Sequence, residues 1–188
     1  MLKKYKDHVE ERLQQGIPPL PLNAEQVADL VELLKSPPAG EEEFILDLIK
    51  NRTPAGVDPA AYVKAAFLTA LAKGETSSPL IDKKLATELL GTMLGGYNVE
   101  SLIKLLKDEE VGAIAADGLS KTLLMFNAKH EVIELAAENE NAKRVVESWS
   151  NGEWFTSKSK LPEVIKAIVF RVDGEINTDD FSPAQDAP

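Results

Sequence analysis

The sequence has no cysteine. This excludes a disulfide framework, a thiolate nucleophile and any cysteine-ligated zinc or iron–sulfur cluster among these residues. It also lacks a long apolar run: nothing approaches the ~20 residues that a membrane-spanning helix needs. The first residues, MLKKYKDHVEERL, carry charges throughout and no apolar signal core, so a cytoplasmic, non-membrane location is expected. Basic residues are the minority, 21 Lys and Arg against 31 Asp and Glu, with a formal charge of -10. Such a balance disfavours a general nucleic-acid or anionic-membrane surface. The glycines at 91, 95 and 96 do not have G-x-G-x-x-G spacing and no strand is expected before them, and no Ser-His-Asp set has a plausible context. Hydrophobic residues make up 44% of the 188, enough for a real core in one large or two small domains.

Apolar stripes at helical spacing recur along most of the chain. The organising stretch is Ile81 to Phe126, which predicts three helices joined by short turns. Leu85, Leu89, Leu90 and Met93 share one face of the first, and Gly95–Gly96 is expected to stop it. Asn98 is expected to cap the second, with Leu102, Ile103, Leu105 and Leu106 inward. The third is expected from about Glu110 to Phe126, burying Val111, Ile114, Ala115, Leu119, Leu123 and Phe126. Short connections predict consecutive helices lying antiparallel and side by side.

Before this stretch, Leu2 to Gln15 is amphipathic, with Tyr5, Val9 and Leu13 on one stripe. Ile17 to Leu22, IPPLPL, predicts a stiff extended connector because proline fixes φ and removes donors. Asn23 and Gln26 form a capping-box pattern before Val27, Leu30, Val31 and Leu34. Glu41, Glu42 and Glu43 open a helix burying Phe44, Ile45, Leu48 and Ile49. Asp58–Pro59 opens another with Tyr62, Val63, Ala66, Phe67, Ala70 and Leu71. After Phe126, a helix capped by Asn127 is expected through Glu138, then one from about Asn141 to Ser150. Helix pairs begin near Ala24, Pro59, Val99 and Ala128, a spacing of about 30–40 residues typical of helical-repeat proteins. The expected architecture is an all-α, HEAT-like helical array of roughly nine helices.

Near Glu153 the pattern changes. Val164 to Val172 is β-branched and alternating, and Asp173–Gly174 is a hairpin signal. A strand and partial hairpin cannot bury their own face, so residues 162–188 predict the start of a second domain.

Few side chains invite a chemical role. His8 beside Glu11 and Arg12, and His130 beside Glu131 and Glu134, have too few ligands for a metal and predict solvated helix faces. Glu41–Glu43 suits the positive end of a helix dipole better than a cation. Gly91, Gly95 and Gly96 sit at a helix C-terminus, the wrong end for phosphate. Trp149, Trp154 and Phe155 predict either an interface anchor or a core where the array meets the next domain. Asp179, Asp180 and Ser182 read as a turn. No residue is assigned a catalytic, cofactor-binding or metal-binding role.

Several stretches taken together, in order along all 188 residues, carry a resemblance. PPAGEEEF, AAYVKAAFL, AKGE, ELLGTMLGGYN, KTLLMF, EWF and NTDDFSPAQDA resemble the N-terminus of the bacterial aconitase B family, bifunctional aconitate hydratase 2 / 2-methylisocitrate dehydratases. The resemblance implies a HEAT-like domain over residues 1–161 and an incomplete start of the swivel domain over 162–188. It implies a parent enzyme that isomerises citrate and isocitrate on a 4Fe–4S cluster held by downstream residues, in the tricarboxylic acid cycle. The HEAT-like domain would then be a non-catalytic module for protein contacts, including homodimerisation, and for a substrate channel. The alternative is a stand-alone helical interaction module without enzymatic activity. The resemblance also implies mRNA binding by the parent enzyme, whereas the charge balance favours protein partners.

Overall fold

A computed structural model describes residues 1–123, 125–166 and 174. Its chain divides into two compact units: residues 1 and 21–156, and residues 2–20 and 157–188. The described residues contain ten α-helices and one 3-10 turn.

In the 2–20 segment, α1 spans Leu2–Gln14. Gly16, at φ +72°, turns the chain back. The proline-rich strap that follows is tied to one face of α1. Tyr5 donates its hydroxyl to Leu20 O at 2.9 Å, and the Leu20 N–H donates to His8 Nε2 at 3.0 Å. Arg12 Nε donates to Pro18 O at 2.8 Å. Tyr5 is buried and Leu13, on the same expected stripe, is 75% exposed.

The 21–156 unit begins as its sequence predicts. Asn23 and Gln26 close both bonds of the capping box at 2.9 Å, and α2 runs Ala24–Lys35. All four residues of its expected stripe are buried. Then follow α3, Glu42–Asn51, and α4, Pro59–Ala72. Asp58 caps α4 by accepting from Ala60 N–H at 2.7 Å. In α3, Ile45, Leu48 and Ile49 are buried and Phe44 is half-buried. The α4 stripe is shifted from expectation: Ala61, Lys64, Ala65 and Leu68 are inside, whereas Tyr62 and Ala66 are exposed. The helix packs against both α2 and α5, so two faces are covered and apolar spacing no longer marks a single one.

The central helices are shorter than their patterns predict. Helix α5, Lys83–Gly91, is capped by Asp82, which accepts from Leu85 N–H at 2.7 Å. It ends at Gly91, before Gly95–Gly96. Asn98 does not cap α6, Val99–Leu105; its side chain is buried and donates Nδ2–H to Leu90 O at 2.7 Å, tying the preceding helix end. The four apolar residues expected in α6 are all buried. Helix α7 runs only Gly112–Lys121. Ser120 and Thr122 donate their hydroxyls to Ala116 O and Gly118 O at 2.8 and 2.9 Å, and Thr122 turns extended. Leu123 and Phe126, expected inside, are 48% and 79% exposed. The segment expected as one helix from Asn127 to Glu138 is a 3-10 turn, Phe126–Ala128, followed by α8, Lys129–Leu135, with Val132 buried and Ile133 exposed. Asn139 caps α9, Glu140–Asn151, accepting from Ala142 N–H at 2.9 Å, and α10 is Glu153–Thr156.

Repeated helix-on-helix packing builds one core through this unit. Helices α2, α4, α5, α7 and α9 contact one another in succession; α3 packs on α2, α6 on α7, and α8 on α9. Thus α5 rests chiefly on α4 and α7, not on its sequence neighbour α6 as short connections suggested. This HEAT-like, all-α array is the fold. Of the strand expected over 164–172, residues 164–166 are irregular, with Val164 and Ile165 exposed. The rest of that strand, Asp173 of the hairpin and Asp179, Asp180 and Ser182 lie outside the described residues.

Candidate functional site

Glycine provides the closest approach between central helices. A Cβ on Gly118 would lie 2.8 Å from Gly91 Cα, so α5 and α7 touch backbone to backbone there. Gly96, at φ +82°, packs against the α3–α4 loop, and a Cβ would stand 2.3 Å from Gly56 O. Gly91, Gly96 and Gly118 serve packing. Gly118 is not legible in the sequence as a contact, because a lone glycine in a helix pattern signals nothing about its neighbour.

The two histidines separate. His130 is exposed on α8. His8 is half-buried and holds the proline strap by accepting at Nε2 from the Leu20 N–H, so it has a structural contact and is not a solvated face. Glu42 and Glu43 occupy the first turn of α3, where the helix dipole favours them. Among the described residues no group of three or more His, Cys, Asp or Glu could hold a metal ion. With no cysteine in the sequence, these residues do not fit a 4Fe–4S cluster.

Some charged side chains pair with one another. Lys83 Nζ reaches Asp108 at 2.8 Å and Glu110 at 3.6 Å. The hydrogen bond to Asp108 raises the Lys83 pKa, and Lys83 in turn lowers that of Asp108. Asp108 also accepts from Glu110 N–H and Val111 N–H at 2.9 and 3.1 Å, holding the turn before α7. Lys104 pairs with Glu100, and Arg144 with Asp117. Lys64 is the exception: it is buried in α4, where burial pushes its pKa down to about 8.

Two exposed apolar features stand apart. On the α4–α6 side, Tyr62 and Tyr97 make an edge-to-face pair with centroids 5.1 Å apart, and Tyr97 donates its hydroxyl to Val57 O at 3.4 Å. At the other end, a cavity of about 260 Å³ opens between the end of α7, the 3-10 turn, α9 and α10. Trp149 is half-buried in its wall and donates Nε1–H to Leu119 O at 3.1 Å. Trp154 and Phe155 form an edge-to-face pair beside it. The three aromatics singled out in sequence therefore converge on one site, and they split by role: Trp149 belongs to the packed side, Phe155 to the open rim. Phe126 joins that rim, which sequence reasoning placed in the core. Its φ of +47° is the signal that was missing, and no sequence pattern encodes it for phenylalanine.

These features define a helical-repeat scaffold with contact surfaces and no assembled reactive centre among its described residues. The family follows from comparison. Residues 4–155 match the family model of the Aconitate B N-terminal domain, and the chain belongs to that family. Aconitate hydratase B of Pseudomonas aeruginosa is 62% identical over 188 residues, which is all of this chain and 22% of that protein. The Escherichia coli protein of the same name is 58% identical over 188 residues, with the same coverage. That of Helicobacter pylori is 47% identical, over 99% of this chain and 22% of its own length. The chain thus spans about a fifth of the length of these relatives.

Proposed function

We propose that the chain is the non-catalytic N-terminal module of an aconitate hydratase, a cytoplasmic iron–sulfur lyase of the tricarboxylic acid cycle. In that protein, citrate and isocitrate interconvert through cis-aconitate, and 2-methylisocitrate is dehydrated, on a 4Fe–4S cluster held by residues outside this chain. Residues 1–161 form its helical domain and 162–188 begin its next domain. The observation that carries this reading is the match itself: near-complete coverage of this chain at 47–62% identity, against 22% of the relatives.

The module acts through protein contacts, with a second copy or with the remainder of the enzyme. The pairing of Lys83, Lys104 and Arg144 with carboxylates supports this over RNA, because phosphate binding needs cations free to displace counterions. The mRNA binding implied by the resemblance would then draw on surfaces of the whole enzyme. The test is isocitrate turnover by two proteins after anaerobic reconstitution with iron and sulfide: the 188-residue chain, and the same chain extended through its natural reading frame. Activity is expected only in the extended protein. A natural stop after Pro188, or an inactive extension, overturns the assignment in favour of a stand-alone interaction module.

A further inference from the structure

Between α4 and α6, exposed rings and carboxylates frame one cleft of about 340 Å³. Tyr62 and Tyr97 line it together with Glu75 and Glu100. The two rings stand at 77° with centroids 5.1 Å apart, so they form a corner. They are 59% and 41% exposed, which leaves much of each ring uncovered. Aromatic faces and carboxylates share one preference, a cation. The charged side chains that line the cleft are both acids. Their lysine pairs do not close it. Lys73 stands 3.9 Å from Glu75, and both this pair and Lys104–Glu100 are solvent-exposed, the kind of ion pair that holds weakly. The cleft also continues across α4. Ala66 and Ala70 line it and line a second groove of about 290 Å³ against α2, with Val31, Val63 and Phe67. The ridge shared by the two grooves carries only methyl groups at Ala66 and Ala70.

We propose that this face of α4 docks an extended segment of a separate protein, with an arginine of that partner in the Tyr62–Tyr97 cleft and an apolar side chain in the α2–α4 groove. Guanidinium is the cation that uses both features of the cleft at once. It stacks flat on an aromatic face and bonds a carboxylate through its edge. A helix is about 10 Å across and an extended chain covers about 3.3 Å per residue, so the two anchors lie about three residues apart. The continuity of the grooves selects a polypeptide over a free cation, which would use the cleft alone. A second copy of this chain is a poor source of the arginine among the described residues. Arg12 donates to Pro18 O, Arg144 is paired with Asp117, and Arg52 is half-buried. The acidic lining turns away a nucleic-acid backbone. The inference goes beyond the assignment to an aconitate hydratase and does not depend on it, because both grooves are built from residues of this chain.

The test is an NMR titration of the 188-residue chain with a blocked hexapeptide that has arginine second, leucine fifth and glycine elsewhere. Saturating shifts at the amides of Gly96, Tyr97 and Ser101 are expected below about 5 mM peptide; no saturation overturns the proposal. Citrulline in place of the arginine keeps the shape and removes the charge, and should weaken binding at least fivefold. Glycine in place of the leucine should weaken it at least twofold. Equal binding of either peptide overturns the proposal. Spermidine or free arginine amide that shifts the same amides as tightly as the peptide assigns the cleft to a free cation and overturns it. Tyr62→Ala removes an exposed ring and should weaken binding at least fivefold, whereas Tyr62→Phe keeps the face and should bind as the unaltered chain does. Binding that survives Tyr62→Ala overturns the proposal. Concentration-dependent dimerisation that Tyr62→Ala abolishes gives the cleft to a second copy and equally overturns it. The protein extended through its natural reading frame should bind the peptide within twofold of the 188-residue chain. Loss of binding there shows the cleft covered by the enzyme's own polypeptide and removes this inference alone, since isocitrate turnover by the same protein is read separately.

Discussion

The middle of the helical array and its C-terminal end use the same residue types in opposite ways. Between α4 and α7 large groups such as Phe67, Leu90, Leu102 and Leu119 are buried beside small ones, Ala61, Ala65, Ala115, Ala116 and the Gly91–Gly118 touch, while Tyr62 is outside. From the 3-10 turn to α10 the phenylalanines Phe126 and Phe155 face outward and Trp149 and Trp154 are half-buried, while Ala142 and Ser148 are buried. Hydrophobicity alone would send the rings inward and the small residues out. The difference shows that burial here follows backbone approach. At the Gly91–Gly118 touch a side chain has no room, whereas at the end of the array the rings of Phe126 and Phe155 gain little burial among the described residues.

Gly96→Ala presses hardest on the middle. A methyl at 2.3 Å from Gly56 O cannot be accommodated without moving one loop, and φ +82° strains any L-residue. A loss of about 3 kcal/mol is expected, or a melting point lower by about 6–12 °C for a chain of this size. Calorimetry showing a shift of under 2 °C would mean that the two loops are not in contact.

Lys64 sharpens the same side of the comparison, since it is a charge placed among apolar neighbours. Its folded pKa, about 8, lies below the ordinary lysine value, so between the two values the unfolded chain holds the extra proton. Stability should therefore carry its full penalty below about pH 8 and rise as pH climbs towards the ordinary lysine range. Lys64→Met keeps the buried stem and removes the charge. It should gain about 2–3 kcal/mol at pH 7 in urea unfolding and abolish that alkaline rise. A variant that keeps the rise would trace it to another group.

Phe126→Gly probes the end with the smallest expected effect. Glycine accepts φ +47° freely, and the lost ring is largely exposed, so stability should stay level or improve by up to about 1 kcal/mol. A loss above about 2 kcal/mol would show that the ring is packed in the isolated chain and that the two regions are alike after all.

Legibility varied with the range of the interaction that decided each feature. The capping box at Asn23 and Gln26, the Asp58–Pro59 start and the stripes of α2 and α6 were readable because they depend on residues within one or two turns. The early end of α7 was not. Its apolar spacing continues to Phe126, yet the helix ends where the hydroxyls of Ser120 and Thr122 bond back to it and Thr122 turns extended. Asn98 has the composition of a cap, yet its buried side chain spends its donor on Leu90 O.

The sequence by itself determined that the chain is helical, where most helices begin, that no thiolate chemistry belongs to it, and, through its motifs, its family. Those properties are local or compositional, and they persist whatever the helices pack against. Tertiary structure alone decided which glycines touch, that Lys64 lies inside, that His8 clamps the proline strap, and that Phe126 stands on an open rim beside Phe155. Each of these depends on how closely backbones distant in sequence approach, or on a backbone angle held by its surroundings, and side-chain periodicity carries no record of either.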